Sequence, residues 1–488
     1  MTLVQRRLLS LMMLVGLAFA GAGLVYWQQQ KGERDVEAKQ AADKLLALDN
    51  LAPVAMITLV TPHTTFELHR RTEGNERVWR LTAPLETSAD RVVVDGILEH
   101  LIGLRRTREV GEPQPDGSIT PPADLKLFEL DPAPFRITVT LDDGSHETLE
   151  VGKKSSFDGS IFVRVTGKPT ISLVPGALFY QVDQELFKLR DKKLVPFETN
   201  DMQKLSVQYS PDRKGLEHYH YTLTKVDGSW SVTEPELGPA DEGLVLGILG
   251  GLAGARAKHF EAEHATLPVL EKTGLAKPSA TVEITTTAGD LVTVTLAQDP
   301  NQSLASTFGL RSGAFPVLEL NSEGLVKKLR VRADELLDKR VVRFERNAVL
   351  EIRMSRGEQS LTLVKERDIE KGLDTWKLTT PEARPVEDPP VAGLLYRLGN
   401  LKGVQVVAQA LPEAERNKFG LDKPELTATL LGEAQKVLAT LMVSAAKDGV
   451  RYGLDVASGR VLSIVPQNVD DLSANPADYR EPAAAAKE

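Results

Sequence analysis

Trp79-Arg-Leu-Thr-Ala-Pro84, Trp230-Ser-Val-Thr-Glu-Pro235 and Trp376-Lys-Leu-Thr-Thr-Pro381 are three writings of one pattern. The tryptophans stand 151 and 146 residues apart in a chain of 488 residues that holds only four. A spacing of that length describes serial modules, each large enough for its own core, rather than a short-period solenoid. Period two puts Trp79 with Leu81, and Trp230 with Val232, on one face of a strand, while Arg80, Thr82, Ser231 and Thr233 point the other way. A tryptophan beside a same-face aliphatic is explained by burial, so Trp79, Trp230 and Trp376 are read as core residues.

Working outward, an acidic residue opens an apolar helical run eleven residues after the first two tryptophans, at Asp90 and Asp241, and twelve after the third, at Asp388. Behind Asp90 come Val93, Val94, Ile97, Leu98 and Leu101; behind Asp241 come Leu244, Val245, Ile248, Leu249 and Leu252. Behind Asp388 the pattern reads Val391, Ala392, Leu395 and Tyr396 and then drifts. These offsets predict one-sided helices, each with an aspartate taking up first-turn N–H groups. Leu130-Asp-Pro, Leu275-Ala-Lys-Pro and Leu421-Asp-Lys-Pro then precede alternating stretches, Phe135 to Leu141, Ala280 to Thr286 and Leu426 to Leu430, that predict strands. Tyr219 to Lys225, the Asp227-Gly228 turn and the return through Trp230 predict a hairpin. Gly111 to Pro122 reads as a surface loop. Copies one and two close alike, as Leu189-Arg-Asp-Lys-Lys-Leu-Val-Pro-Phe197 and Leu336-Leu-Asp-Lys-Arg-Val-Val-Arg-Phe344, with a faint counterpart at Asp478-Tyr-Arg480.

At the N-terminus, Leu8 to Trp27 carries no charge. As a helix those residues reach roughly 30 Å, the thickness of a bilayer core. Arg6 and Arg7 before them put residues 1–7 in the cytoplasm and the bulk of the chain outside it. Ala18-Phe-Ala20 resembles a signal-peptide cleavage site, but the apolar run continues past it to Trp27, which favours an uncleaved anchor. Gln28 to Asn50 is polar with Leu45, Leu46 and Leu48 near its end, and reads as a helical stalk. The expected fold class is therefore α+β: an N-terminal transmembrane helix followed by three tandem repeats, 51–200, 201–346 and 347–480, each a mainly antiparallel sheet with packed helices. The Ala-rich tail 481–488 reads as disordered.

Chemistry is sparse. A net charge of -9 argues against a nucleic-acid surface, and with no cysteine there are neither disulfides nor thiolate chemistry. There is no G-x-S-x-G, no H-E-x-x-H and no Walker loop; Gly152-Lys-Lys-Ser155 lacks the upstream glycine. The Gly-rich run Leu244 to Ala257 has small residues four apart and reads as a closely packed helix, too short to span a bilayer. One metal-ligating constellation is present: His218 and His220 on a predicted strand, and His259 and His264 around Glu261 and Glu263. Two histidines two apart on a strand point the same way and, with a carboxylate, make a set that zinc accepts. Against this, both groups sit in polar sequence that reads as solvated surface, and no metal or other cofactor is expected.

An N-terminal anchor, the Trp-x-Leu-Thr-x-Pro strand, the Asp-led helix, the Leu-Asp-x-Pro turn and the closing Leu-Arg-Asp-Lys segment together resemble the bacterial domain-of-unknown-function 4340 family, from about Val54 to Tyr479. The resemblance implies an envelope role, since members are often encoded beside Gld-type ABC-2 transport permeases and gliding auxiliary proteins; it supplies no catalytic residue. The expectation is a noncatalytic, membrane-anchored extracytoplasmic accessory of an ABC-type export or gliding system, partnered by an ABC-2 type permease and other envelope proteins. The alternatives are a metal-dependent envelope hydrolase using the four histidines, or a structural envelope scaffold.

Overall fold

Alternating apolar residues build the strands and Pro, Gly and Asp punctuate them. The computed structural model describes residues 42–481 apart from 75, 117, 211–216, 299–305, 314–315, 323 and 369–372. They form three nine-stranded, wholly antiparallel sheets with the same strand order. In the first sheet that order runs Thr87–Ser88, Glu76–Ala83, Thr65–Glu73, Val54–Val60, Phe135–Leu141, His146–Lys154, Ile161–Val165, Ile171–Val174, Arg108–Val110. The helix Arg91–Gly103 follows one edge strand and precedes the opposite one, so the chain crosses the sheet's face along it. Helices Glu242–Gly254 and Asp388–Asn400 do the same in the other two modules.

Each module has its own large apolar core, centred on Trp79, Trp230 or Trp376 with the inward stripe of its helix. The predicted strands appear as Phe135–Leu141, Ala280–Thr286 and Leu426–Leu431. The hairpin turns at Asp227 and Gly228, whose φ angles of 48° and 82° are the left-handed pair that a two-residue loop requires. Helix Glu242–Gly254 packs closely on Leu325–Leu329: a Cβ on Gly251 would stand 3.3 Å from Leu325 Cδ1. The segment expected as a loop, Gly111 to Pro122, contains a two-stranded hairpin of Glu112–Pro113 and Ile119–Thr120.

The structure corrects the expected architecture in several places. Among the described residues no helix is long and apolar enough to cross a membrane, so the transmembrane helix is no part of the fold established here; Leu8–Trp27 itself lies outside the described residues. So do residues 1–7, residues 28–41 of the expected stalk and residues 482–488 of the tail. Ala42 is helical, but the end of that stalk, Asp43 to Asn50, is not. Lys44 bridges to Arg105, and Leu46 and Leu48 are buried in the first core. Equivalent bridges join Lys193 to Arg256 and Arg340 to Lys402, followed by Leu194-Val195 in the second core and Val341-Val342 in the third. Each module thus begins earlier than expected, near Lys44, Lys193 and Arg340. The chain divides into two compact units, one ending at Lys192 and holding the first module, the other starting at Lys193 and holding the second and third.

The third helix also starts differently. Asp90 accepts from the N–H groups of Val92 and Val93, and Asp241 from those of Gly243 and Leu244. Asp388 is instead the first residue inside its helix; the cap is Glu387, whose side chain makes no capping bond. Counted from the caps, the buried positions agree in all three: Val94, Ile97, Leu98, Leu101; Val245, Ile248, Leu249, Leu252; Val391, Leu394, Leu395, Leu398.

Candidate functional site

The tryptophan strand and the module helix meet at one place in every copy. Strand pairing sets a basic residue opposite each tryptophan: Arg70 opposite Trp79, Lys225 opposite Trp230, Lys365 opposite Trp376. Five residues after each helix cap stands Asp95, Leu246 or Ala392. In the first module this place is filled. The Arg70 guanidinium lies 5.5 Å from the centre of the Trp79 ring and donates to Leu51 O at 2.6 Å. The Trp79 indole N–H donates to Asp95 Oδ1 at 2.9 Å, and Arg91 Nε stands 3.3 Å from the other carboxylate oxygen.

In the third module the same place is open. Lys365 pairs with Asp374 at 3.3 Å, and Ala392 offers no acceptor. A cleft of about 640 Å³ lies there, lined among others by Arg346, Lys365, Trp376, Ala392 and Asn400. That volume falls within the range of small-molecule sites. The Arg346 guanidinium sits 5.5 Å from the centre of the Tyr396 ring, a cation–π distance.

Arg340, on the lining of the cleft, also belongs to a buried acid's cluster through which the second and third modules are joined. The Asp241 N–H donates to Leu336 O and the Asp338 N–H to Pro239 O, which tie the closing segment to the second module; Val341 N–H to Leu401 O and Gly403 N–H to Lys339 O tie it to the third. Between those ties the Asp338 side chain, 3% exposed, accepts from Arg340 N at 2.8 Å and stands 2.6 Å from Arg340 Nη2 and 2.9 Å from Arg343 Nε. Arg460, itself buried, donates to Asp338 O at 2.6 Å. Burial pushes the Asp338 carboxyl up, but the bonds from Arg340 and the charges of Arg343 and Arg340 outweigh it and hold the group below the usual carboxylate range.

The four histidines are not brought together. His218 and His220 are exposed; His220 pairs with Glu234 at 3.7 Å, and Glu234 also accepts from Thr222 Oγ1. His259 is exposed on Ala257–Ala262, the edge strand six places along the sheet from Tyr219–Val226. At about 4.8 Å per strand that is roughly 29 Å, beyond the reach of any shared ion. His264 lines a separate cavity of about 470 Å³ with Thr266 and Thr295. No group of three or more metal-ligating side chains occurs among the described residues. The cleft, by contrast, was not anticipated; its signal is the change from Asp95 to Ala392, hidden while the third helix was counted from Asp388.

A family model described as a domain of unknown function (DUF4340) matches residues 79–227, 230–374 and 376–486. The matched units run from one tryptophan toward the next, whereas each sheet includes the two strands before its tryptophan. Comparison with curated proteins gives no match, and neither does comparison with solved structures.

Proposed function

This chain belongs to the DUF4340 family, and from that premise we propose that it is a noncatalytic, extracytoplasmic accessory of an ABC-type export or gliding system whose modules dock envelope proteins, an ABC-2 type permease among them. The observation that carries this reading is the second-module helix. After Glu242 its residues, Gly-Leu-Val-Leu-Gly-Ile-Leu-Gly-Gly-Leu-Ala-Gly, include no polar side chain. Its inner stripe is buried, yet its outer side leaves Leu244 43% and Leu246 51% exposed, with open space over Gly247, Gly250 and Gly254. A helix apolar all round is ordinarily covered all round, so this face suits a partner's apolar surface.

The test is a photo-crosslinking residue at position 246 of the full chain, expressed with the permease. The expected result is a permease adduct that Leu244→Glu abolishes while the melting temperature holds within a degree or two. An unmodified permease, with the chain folded and abundant beside it, refutes the docking role.

A further inference from the structure

One end of the first sheet carries exposed aromatic residues that the other two copies lack. Ile161 pairs with Val174, so strand Ile161–Val165 begins where strand Ile171–Val174 ends. The hairpin tip 155–160 and the turn 175–180 therefore lie side by side; a Cβ on Gly176 would stand 2.5 Å from Gly159 O. Phe157 on the tip is 96% exposed and Tyr180 on the turn 73%. Pro175 and Ala177 are exposed as well, and Pro169 to Val182 carries no charge. Lys154 Nζ stands 4.2 Å from the centre of the Phe179 ring and 5.9 Å from that of Tyr180. Lys153 beside it is exposed too. The exposed acids flanking these segments are Asp158, whose carboxylate accepts from Ser160 N–H at 3.0 Å, and Asp183 and Glu185. In the second copy the corresponding turn, Asn321 to Lys327, contains Glu323 and Lys327; in the third, Val465 to Asp470 is polar and ends in an acid. The corresponding hairpin connections, 299–306 and 444–450, hold no aromatic residue.

The chain enters the first module at this same end. Arg108 pairs with Leu173, and just before Arg108 the entering segment is held by the Lys44 bridge to Arg105 and by Arg106 N–H donating to Asp43 O. Three strand spacings, roughly 15 Å, separate it from the Phe157 tip. The uncharged sequence Leu8 to Trp27 precedes that entry by the residues 28–41.

We infer that this end of the first module rests on the surface of a phospholipid bilayer, with the Phe157 and Tyr180 rings at headgroup level and Lys153 and Lys154 reaching lipid phosphates. Aromatic rings and long-stemmed lysines suit a boundary that is apolar on one side and wet on the other. A stable protein interface needs a broad, closely packed apolar centre, whereas here two exposed rings stand on a short tip and a turn beside ammonium groups. The length of chain before the module points the same way: Leu8 to Trp27 is a sequence that favours lipid over water, and residues 28–41 span at most about 50 Å. This inference concerns lipid and the first module, whereas the docking role proposed above concerns a protein and the second, so either can fail alone.

Because the chain has no cysteine, one introduced cysteine labels one place. The full chain with Phe157→Cys, carrying the fluorophore NBD, is mixed with vesicles of phosphatidylcholine and phosphatidylglycerol, some holding brominated lipid as a quencher. Lys447→Cys, exposed on the corresponding connection of the third module, is the control. The label at 157 is expected to shift to the blue and be quenched by brominated lipid, while the label at 447 does neither. Lys153→Gln with Lys154→Gln is expected to weaken the dependence on phosphatidylglycerol roughly thirtyfold, at about fivefold per lysine near an anionic surface. If that variant fails to fold, raised salt screens the same attraction and should reduce the shift. A label at 157 that stays in water on the folded chain, equal quenching at 447, or a shift indifferent both to the lysines and to salt overturns the proposal. So does a shift produced by envelope proteins in the absence of vesicles.

Discussion

Replacing Asp338 with asparagine tests whether the second and third modules are held as one unit by a buried acid. Asparagine keeps the size and one carbonyl acceptor but removes the charge facing Arg340 and Arg343, and leaves Arg460 in the same positive surroundings. Breaking a fully buried ion pair by removing one partner costs about 3 to 5 kcal/mol. Here the acid is buried but the side chains of Arg340 and Arg343 are 39% and 37% exposed, so water takes up part of the loss. About 2 to 3 kcal/mol is expected. For a unit of this size that is a fall in melting temperature of roughly 4 to 6 °C. Hydrogen exchange should locate it, with faster exchange in peptides covering 336–344 and 401–405. The pH dependence follows from the sign of the shift. Asp338 titrates lower in the folded state than in the unfolded one, so its contribution is present above the unfolded value, about 3.9, and is lost as pH falls through the folded value. The wild type should therefore lose the joint in acid while the asparagine variant shows a flatter profile there. A variant with wild-type exchange at 336–344 and an unchanged acid profile refutes the claim that this carboxylate couples the two modules.

Three further outcomes are expected. Trp230→Ala should cost about 3 to 5 kcal/mol, the loss for a buried aromatic, read as a lower urea midpoint; a midpoint within error of wild type would remove Trp230 from the core. Asp241→Ala should cost about 1 kcal/mol because it strips a cap from two N–H groups, whereas Asp388→Ala should cost about half that or less, since it touches only the helix dipole; equal losses would contradict the reassigned cap. Replacing His218 and His220 together should change stability by no more than about 0.5 kcal/mol and leave the metal content of the purified chain unaltered; stoichiometric zinc lost in the double variant would restore the hydrolase reading.

Much of the fold is legible because periodicity reports burial directly. The strands around residues 135, 280 and 426, the hairpin at Asp227-Gly228 and the first two helices are all local patterns that tertiary packing reinforces. What was missed is non-local. Nothing in the spacing of His218, His220, His259 and His264 reveals that strand order separates their strands by most of the sheet's width. Nor does a polar stretch ending in three leucines announce that Leu46 and Leu48 start a core; only its likeness to Lys193-Leu194-Val195 and Arg340-Val341-Val342 does so, once the pairing is known. The third helix was misread for a more instructive reason. Aspartate is the better cap, so Asp388 attracted the assignment, while the spacing of eleven residues from Trp376 already pointed to Glu387. Burial of Val391, Leu394, Leu395 and Leu398 fixes the register, and packing outweighs cap preference.

With that register in place, one position separates what the fold requires from what each copy does. The residues four, seven, eight and eleven after the cap are apolar in every module, because they face the sheet. The residue five after the cap lies at the margin of that stripe, where side-chain chemistry is free to differ without loss of the core. The first module places Asp95 there and locks its tryptophan, the second places Leu246 and shows an apolar side chain to solvent, and the third places Ala392 and leaves a cleft. The same backbone thus yields a closed contact, an exposed apolar face and an open cleft through single side chains. Function in a repeated fold is accordingly to be sought where aligned copies disagree at a boundary position, since agreement in the core reports only the cost of folding.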